Sequence, residues 1–342
     1  MRQTKLLRSF AVFILLSASA HLHAQKQKKQ APERKLHLWY IADSSSHFSQ
    51  LFPVRTLVSS LSVFGTLPKT FIDSCRMYHI QLYLAVSDGE NAINSDAKTD
   101  STVKKYVIRC LKGGYDGIDL DYEGLAPDAQ RFYLAFLRKL SAALHGHGKK
   151  LSHCVGYYPA MIDKGPEGFF YTPTVVNETC DLVRVMCYDM YFAPGKNVDK
   201  LMGRPDCQGI GPTSNYPWTL EAMSFWSKYV RPEKLVMCLP AYSNDYVFGP
   251  KVTGDQVYAA CPNDKSSKIT DSTWLWYERL NLYNYVDSLN RTHIFYASDA
   301  KSTQSLLAIT KKLALQNIGF WHFSSINDAT WQVISEWLKT GN

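Results

Sequence analysis

The chain has 342 residues, 46% of them hydrophobic and 20% charged, with a formal net charge of +8 and eight cysteines. That is too long for a small disulfide-stapled module and too apolar for a disordered chain. The basic excess does not mark a nucleic-acid face: Arg2, Lys5 and Arg8, then Lys26, Lys28, Lys29, Arg34 and Lys35 against Glu33 alone, hold almost all of it, and the chain is close to neutral from Leu36 onward.

In chain order, residues 1–24 read as an export signal: a basic start, an apolar run from Phe10 to Leu16, then Ala18-Ser19-Ala20 and Leu22-His23-Ala24 as cleavage options. The run is too short to cross a bilayer and no later stretch is apolar enough, so no membrane insertion is expected. No Cys lies near the cleavage site to carry a lipid. The expected location is secreted or periplasmic. Residues 25–35 read as a basic flexible tail and 36–342 as one domain, expected to act as a monomer.

That domain is an alternation of short apolar runs with helical patterns. The runs are Leu36–Ile41, Leu61–Gly65, Ile80–Val86, Gly117–Tyr122, Lys150–Tyr157, Leu182–Tyr188, Leu235–Leu239 and Ile318–Phe323. Between them, Val103, Val107, Cys110 and Leu111 repeat at helical spacing, as do Phe132, Phe136, Leu137, Leu140 and Leu144, and Leu306, Ile309, Leu313 and Leu315. Eight strands alternating with helices predict an α/β fold, a parallel (β/α)8 TIM barrel. An open doubly wound sheet is the alternative, but no Gly-rich phosphate loop follows the first strand. The stretch 243–292 reads as an elaborated, irregular loop over the barrel mouth. Cys154, Cys187 and Cys238 in strands and Cys110 on a helix read as buried hydrophobes. Cys207 and Cys261 fall in loops, and we expect a disulfide between them.

The fourth run carries the chemistry. In Asp116-Gly117-Ile118-Asp119-Leu120-Asp121-Tyr122-Glu123, strand alternation puts Asp119, Asp121 and Glu123 on one face and Ile118, Leu120 and Tyr122 on the other. Like charges so close cannot all ionise freely, so a proton is held among them, as a general acid requires. A solvated edge strand would carry three acids at no cost, but its apolar flanks and the preceding Lys112-Gly113-Gly114 turn argue for an interior strand. A hard-cation site is the other rival, since Asp-x-Asp-x-Glu supplies oxygen ligands.

Asp116-x-x-Asp119-x-Asp121-x-Glu123 resembles the signature of glycoside hydrolase family 18, the chitinases and their relatives. Further motifs agree in order. Met186-Cys187-Tyr188-Asp189 is similar to the family's Met-x-Tyr-Asp on the sixth strand. Gly319-Phe320-Trp321 places a Trp on the eighth, where the family has the floor of the sugar subsite. Pro240-Ala241-Tyr242 resembles part of a Gly-x-Pro-x-Tyr-Gly pattern, and Trp39 and Tyr40 end the first strand, where the family often has aromatics. Departures are Cys238 and Ser243 for that pattern's glycines and Glu90 for a third-strand Gly. The seventh and eighth strand regions look most like the chitobiase branch.

The resemblance implies cleavage beside an N-acetylglucosamine, in chitin or its oligomers, by a retaining mechanism in which the sugar's acetamido oxygen is the nucleophile, without metal or organic cofactor. Glu123 would be the acid and then the base. Asp121 would orient the acetamido group, Asp119 would share a proton with Asp121, and Tyr188 would donate to the acetamido oxygen. Asp189, Trp321, Met186, Tyr242 and Tyr40 would contact sugar. An endo-β-N-acetylglucosaminidase acting on N-glycans and a peptidoglycan-directed hydrolase would share this ladder. A non-catalytic sugar-binding protein would typically lack the terminal acid, which Glu123 supplies.

Overall fold

A computed structural model describes residues 33–123, 125, 129–156, 172–191, 210–249, 252–259 and 268–340. Eight parallel strands close into a barrel: β1 (Lys35–Ile41), β2 (Ser60–Phe64), β3 (Gln81–Val86), β4 (Gly117–Leu120), β5 (Lys150–Val155), β6 (Leu182–Met186), β7 (Leu235–Pro240) and β13 (Asn317–Trp321). They pair in chain order, and β13 closes the ring between β7 and β1. Each apolar run picked out above is one of these strands.

Alternation along the strands sorts the side chains. Leu36 and Leu38, Leu82 and Leu84, Ile118 and Leu120, Val183 and Val185, and Ile318 and Phe320 join the main apolar core beneath the helices. The opposite set faces the barrel axis and is unusually polar. His37, Ser60, Ser62, Asp119, Ser152, Arg184 and Asn317 are all buried, beside a small cluster of Trp39, Cys154, Val236 and Cys238.

The helices are α1 (Lys69–Met77), α2 (Asp96–Gly113), α3 (Gln130–Gly146), α4 (Pro173–Thr179), α5 (Tyr216–Trp226), α6 (Ala300–Lys312) and α7 (Asp328–Lys339). Side-chain caps start four of them: Ser95, Asn215, Asp299 and Asn327 accept from backbone N–H groups in the first turn. Gly114, at φ +70°, ends α2 and turns the chain into β4, as the double glycine predicted. On α2 the buried stripe includes Tyr106, Val107 and Cys110, whereas Leu111, expected to be buried, is exposed.

Gly117 opens β4, where a Cβ would lie 2.4 Å from the Lys150 carbonyl oxygen and 2.8 Å from the Tyr83 ring. Both neighbours are fixed, one as backbone and one as a buried ring. Gly117→Ala should therefore destabilise by about 1–3 kcal/mol through overpacking, read as a lower urea midpoint. A variant of unchanged midpoint would mean that the strand shifts freely.

Two expectations need correction. The stretch 243–292 is not an irregular loop. It holds β8 (Ser243–Gly249), β9 (Val252–Ala259), β10 (Lys268–Leu275), β11 (Leu280–Val286) and most of an antiparallel sheet of order β10-β11-β12-β8-β9, completed by β12 (Thr292–Ala297). The runs Leu280–Val286 and Thr292–Ala297 are rich in β-branched and aromatic residues, a strand signal outweighed by the turn-forming composition around Cys261. Buried polar contacts hold the sheet: His293 Nδ1 lies 2.8 Å from Asp245 Oδ2, Tyr285 donates to Asp245 and stacks on His293 at 4.3 Å, and Arg291 pairs with Asp287 at 2.5 Å. The second correction is the domain boundary. Arg34 and Lys35, assigned to the tail, belong to the compact unit Arg34–Thr340. Arg34 donates to Thr340 Oγ1 at 3.0 Å and lies 4.6 Å over Trp337, and Lys35 is in β1.

Six cysteines, Cys75, Cys110, Cys154, Cys180, Cys187 and Cys238, are buried free thiols. Cys207 and Cys261 lie outside the described residues, as do the signal and most of the basic tail.

Candidate active site

The acid ladder sits where β4 ends. Asp119 is in the strand and wholly buried. The strand pairing ends at Leu120, but Asp121 N still donates to Val86 O at 3.0 Å, so the chain runs on extended into the mouth. Tyr122 turns back into the core and bonds Tyr106 hydroxyl to hydroxyl at 2.7 Å, as alternation predicts. The result is a gradient: Asp119 buried, Asp121 partly buried, Glu123 exposed.

Electrostatics follow that gradient. Burial, then the charges of Glu123 and Asp119, push the Asp121 carboxyl up to about 7. Glu123 is raised by partial desolvation at the mouth and then by Asp189. Asp189 is raised by burial against a hydrogen bond donated by Tyr242. The ladder thus keeps a proton near neutral pH, as its spacing suggested.

Asp119 is held from behind. Ser62 donates to its Oδ2, Cys154 Sγ lies 3.5 Å from the same oxygen, and Arg184 Nε lies 3.4 Å from Oδ1. A guanidinium here supplies the counter-charge that the cation-site reading would have sought from a metal. Sequence reasoning missed Arg184, Ser62 and Cys154. Arg184 shares strand parity with Met186 and Tyr188, and a charge inside an otherwise apolar run was the signal.

Across the barrel, Met186 and Tyr188 pack on the interior cluster with Trp39 and Trp321. Trp39 meets Tyr188 at 6.1 Å and Trp321 at 5.8 Å, both edge-on. Tyr188 stands 6.3 Å from the Tyr242 ring, and burial first raises its hydroxyl pKa well above the usual value, with Cys238, Cys154, Tyr242 and Asp121 adding. Asp189 takes φ +59°, a conformation Asp tolerates better than most residues, and its N–H donates to Thr213 Oγ1 at 3.1 Å. Trp321 ends β13 and is joined to His322 by a cis peptide. Asp121, Glu123, Tyr188, Asp189, Tyr242 and Trp321 therefore gather at the C-terminal ends of barrel strands, where this architecture places chemistry.

Tyr40 is the exception. It is 4% exposed and packs on Phe71 and Phe323 in the outer core, with its hydroxyl on Gln50 Oε1 at 2.5 Å. Alternation gives the interior place to its neighbour Trp39. Of the departures, Cys238 joins the interior cluster, and Ser243 Oγ accepts from Ser298 N at 2.8 Å, joining the start of β8 to the end of the inserted sheet.

The family model described as Glycosyl hydrolases family 18 matches residues 69–325, most of the chain and most of these site residues. The chain belongs to glycosyl hydrolase family 18. As a member of that family it is a glycosidase. Among curated proteins it is 20% identical over 273 residues to an uncharacterized glycosylase YvbX of Bacillus subtilis, covering 75% of this chain and 72% of that one. It is 22% identical over 271 residues to a cortical fragment-lytic enzyme of the same organism, covering 75% and 59%. It is 24% identical over 242 residues to di-N-acetylchitobiase of Rattus norvegicus, covering 62% and 61%. The chain thus spans less than two thirds of the latter two. Solved structures match the fold too. A Chromobacterium violaceum chitinase superposes with TM-score 0.73 at 16% identity, covering 90% of this chain and 99% of that one. The Bacillus megaterium spore cortex-lytic enzyme SleL gives 0.72 at 13%, covering 92% and 76%.

Proposed function

We propose that the protein is an exported, retaining hydrolase of β-1,4 links beside N-acetylglucosamine, acting on chitin or its oligomers with the substrate's own acetamido oxygen as nucleophile. The observation that carries this reading is the pair Asp121 and Glu123, one carboxyl raised to about 7 and the other, exposed, raised by desolvation and Asp189, at the strand ends of the barrel that also carries Tyr188 and Trp321. Glu123 gives its proton to the leaving oxygen as the acetamido oxygen closes on the anomeric carbon, forming an oxazolinium. Asp121 holds the acetamido N–H so that the oxygen faces the carbon. Tyr188 donates to that oxygen, and Trp321 lies under the ring. Glu123 then takes a proton from water, whose oxygen attacks the anomeric carbon from the face that the leaving group left as the carbon–acetamido oxygen bond breaks and the oxazolinium reopens. The reading calls for no cofactor. Export rests on the basic, apolar and small-residue pattern of residues 1–24.

A second reading, a peptidoglycan-directed hydrolase, is kept because two relatives are named as cortex- or cortical fragment-lytic enzymes. The deciding experiment offers chitin oligomers, an aryl N-acetylchitobioside, an N-glycoprotein and peptidoglycan in parallel. The expected result is cleavage of the first two with retained configuration and inhibition by a thiazoline mimic of the oxazolinium. Cleavage of peptidoglycan alone would select the second reading. Inverted product would remove the substrate-assisted route, and sugar binding without turnover on any substrate would make the protein a lectin.

A further inference from the structure

The reaction just proposed gives no part to Arg184. This residue comes from β6, two positions before Met186, and is wholly buried inside the barrel. A buried guanidinium costs several kcal/mol of desolvation, and well-packed apolar residues often serve stability as well or better than a buried ion pair. Its Nε lies 3.4 Å from Asp119 Oδ1 and donates to Ser152 Oγ at 3.0 Å, and Nη2 donates to Ser60 Oγ at 3.4 Å. Nη1 has no acceptor among the described residues. The rings of Trp39 and Tyr83 flank the guanidinium at 5.2 and 5.7 Å. The guanidinium spends its hydrogen bonds on the two serines and meets Asp119 as a charge, and the Asp119 charge offsets desolvation in keeping it protonated.

The surrounding titratable groups leave that pair alone with its charges. His37 on β1 is pushed down to about 3 by burial and then by Arg184 itself. Burial raises Tyr83 on β3, Cys154 on β5, Cys238 on β7 and Tyr188 beyond β6, so each stays neutral at working pH. Charge around the ladder is therefore set by Arg184, Asp119, Asp121, Glu123 and, at the mouth, Asp189.

We propose that Arg184 is a positioning residue for the glycosidase: its guanidinium, buried against Asp119, offsets the charge behind the ladder and so sets the pH at which Asp121 and Glu123 give up their proton. The way that proton is used rests on the substrate-assisted reading above. The pH at which it leaves does not. Without Arg184, one positive charge is lost beside three acids, and the ladder keeps its protons to higher pH.

The test compares pH profiles of kcat and kcat/KM on an aryl N-acetylchitobioside for the full-length wild type, Arg184→Met, Arg184→Lys, Asp119→Asn and the Asp119→Asn/Arg184→Met pair. Arg184→Met should move both limbs up by about one pH unit or more and lower kcat by at least about tenfold with KM within about threefold. Arg184→Lys keeps the charge and should restore the limbs to within about 0.3 unit. In the Asp119→Asn background, Arg184→Met should add a clearly smaller shift, because the acid it lies against is gone and only its longer-range effect on Asp121 and Glu123 remains. A folded Arg184→Met with slowed turnover and an unmoved profile would reduce Arg184 to packing. If Arg184→Met does not fold, the two Asp119→Asn proteins decide: a further shift of about a unit or more between them overturns the proposal, and a smaller one supports it. Carboxyl-carbon NMR titration of the free proteins reads the same shift without substrate. If chitobioside is not cleaved but that titration moves in Arg184→Met, the substrate reading fails and this one stands.

Discussion

Glu123→Gln should abolish turnover while leaving the fold intact. The amide matches the carboxyl in shape but has no acidic proton to give the leaving oxygen and cannot later deprotonate water. General acid–base catalysis is worth about 10²–10⁴ in rate, and here one group serves both steps. Glu123 is exposed at the barrel mouth, so its replacement removes no packing, and the unfolding temperature should stay within about 2 °C. The loss should be steepest with a sugar leaving group and milder with an activated aryl group, which departs with less help. A variant that keeps most of its rate on a sugar leaving group would show that Glu123 is not the acid.

Asp121→Asn should cost more in kcat/KM than Asp189→Asn, by at least about tenfold. Asp121 is assigned the orientation of an internal nucleophile, where alignment can supply several kcal/mol, whereas Asp189 is assigned a contact to the ring. Equal losses, or a larger one at Asp189, would mean that the acetamido group is oriented by other residues. The same substitution carries a stability signature of opposite sign. Asp121 titrates near 7 in the folded protein and near 3.9 in an unfolded chain. The native state therefore binds the proton more tightly, and this group's contribution to stability falls as pH rises from the lower value to the higher. Above about pH 7 the full penalty is present, and Asn cannot incur it. Asp121→Asn should unfold at a higher temperature than wild type at pH 8 and at a similar one at pH 3. A gain of the same size at both pH values, or a loss at pH 8, would show that the carboxyl is not strained by its charge. A less active, more stable variant is the expected trade where a site holds a charge against its surroundings.

The barrel was legible because strand and helix impose different periods. All eight apolar runs became barrel strands, and parity alone sent Asp119 and Asp121 inward and Tyr122 outward. What the sequence concealed has physical reasons. Tyr40 and Trp39 are adjacent aromatics at a strand end, and only the register with β2 and β13 decides which one enters the barrel. The inserted sheet was hidden because turn-forming residues between its strands outweighed the alternation within them. Arg184 is a contact across the barrel between strands distant in sequence. Parity offers such a residue to the interior but does not say which acid it will meet. The proton held in the ladder could be expected from spacing, but the guanidinium behind Asp119 could not.

The hydrogen bond from Ser298 N to Ser243 Oγ marks where the chain departs for its five-stranded sheet and where it comes back. The two backbone positions are neighbours, so the excursion between them leaves the barrel's connectivity as a short hairpin would. Little loop-closure entropy depends on how long the excursion is. Asp299, the residue after this junction, caps α6 and also accepts from Asn281 of β11 at 2.6 Å, so one carboxylate serves both the helix and the appended sheet. Evolution can thus lengthen, shorten or exchange everything from Asn244 to Ala297 as a cassette, while Asp121 and Glu123, carried by the end of β4 on another part of the ring, keep their places. Relatives on the same barrel are then free to differ most in the wall beside Tyr242, and the catalytic acids need not change when the polymer they meet does.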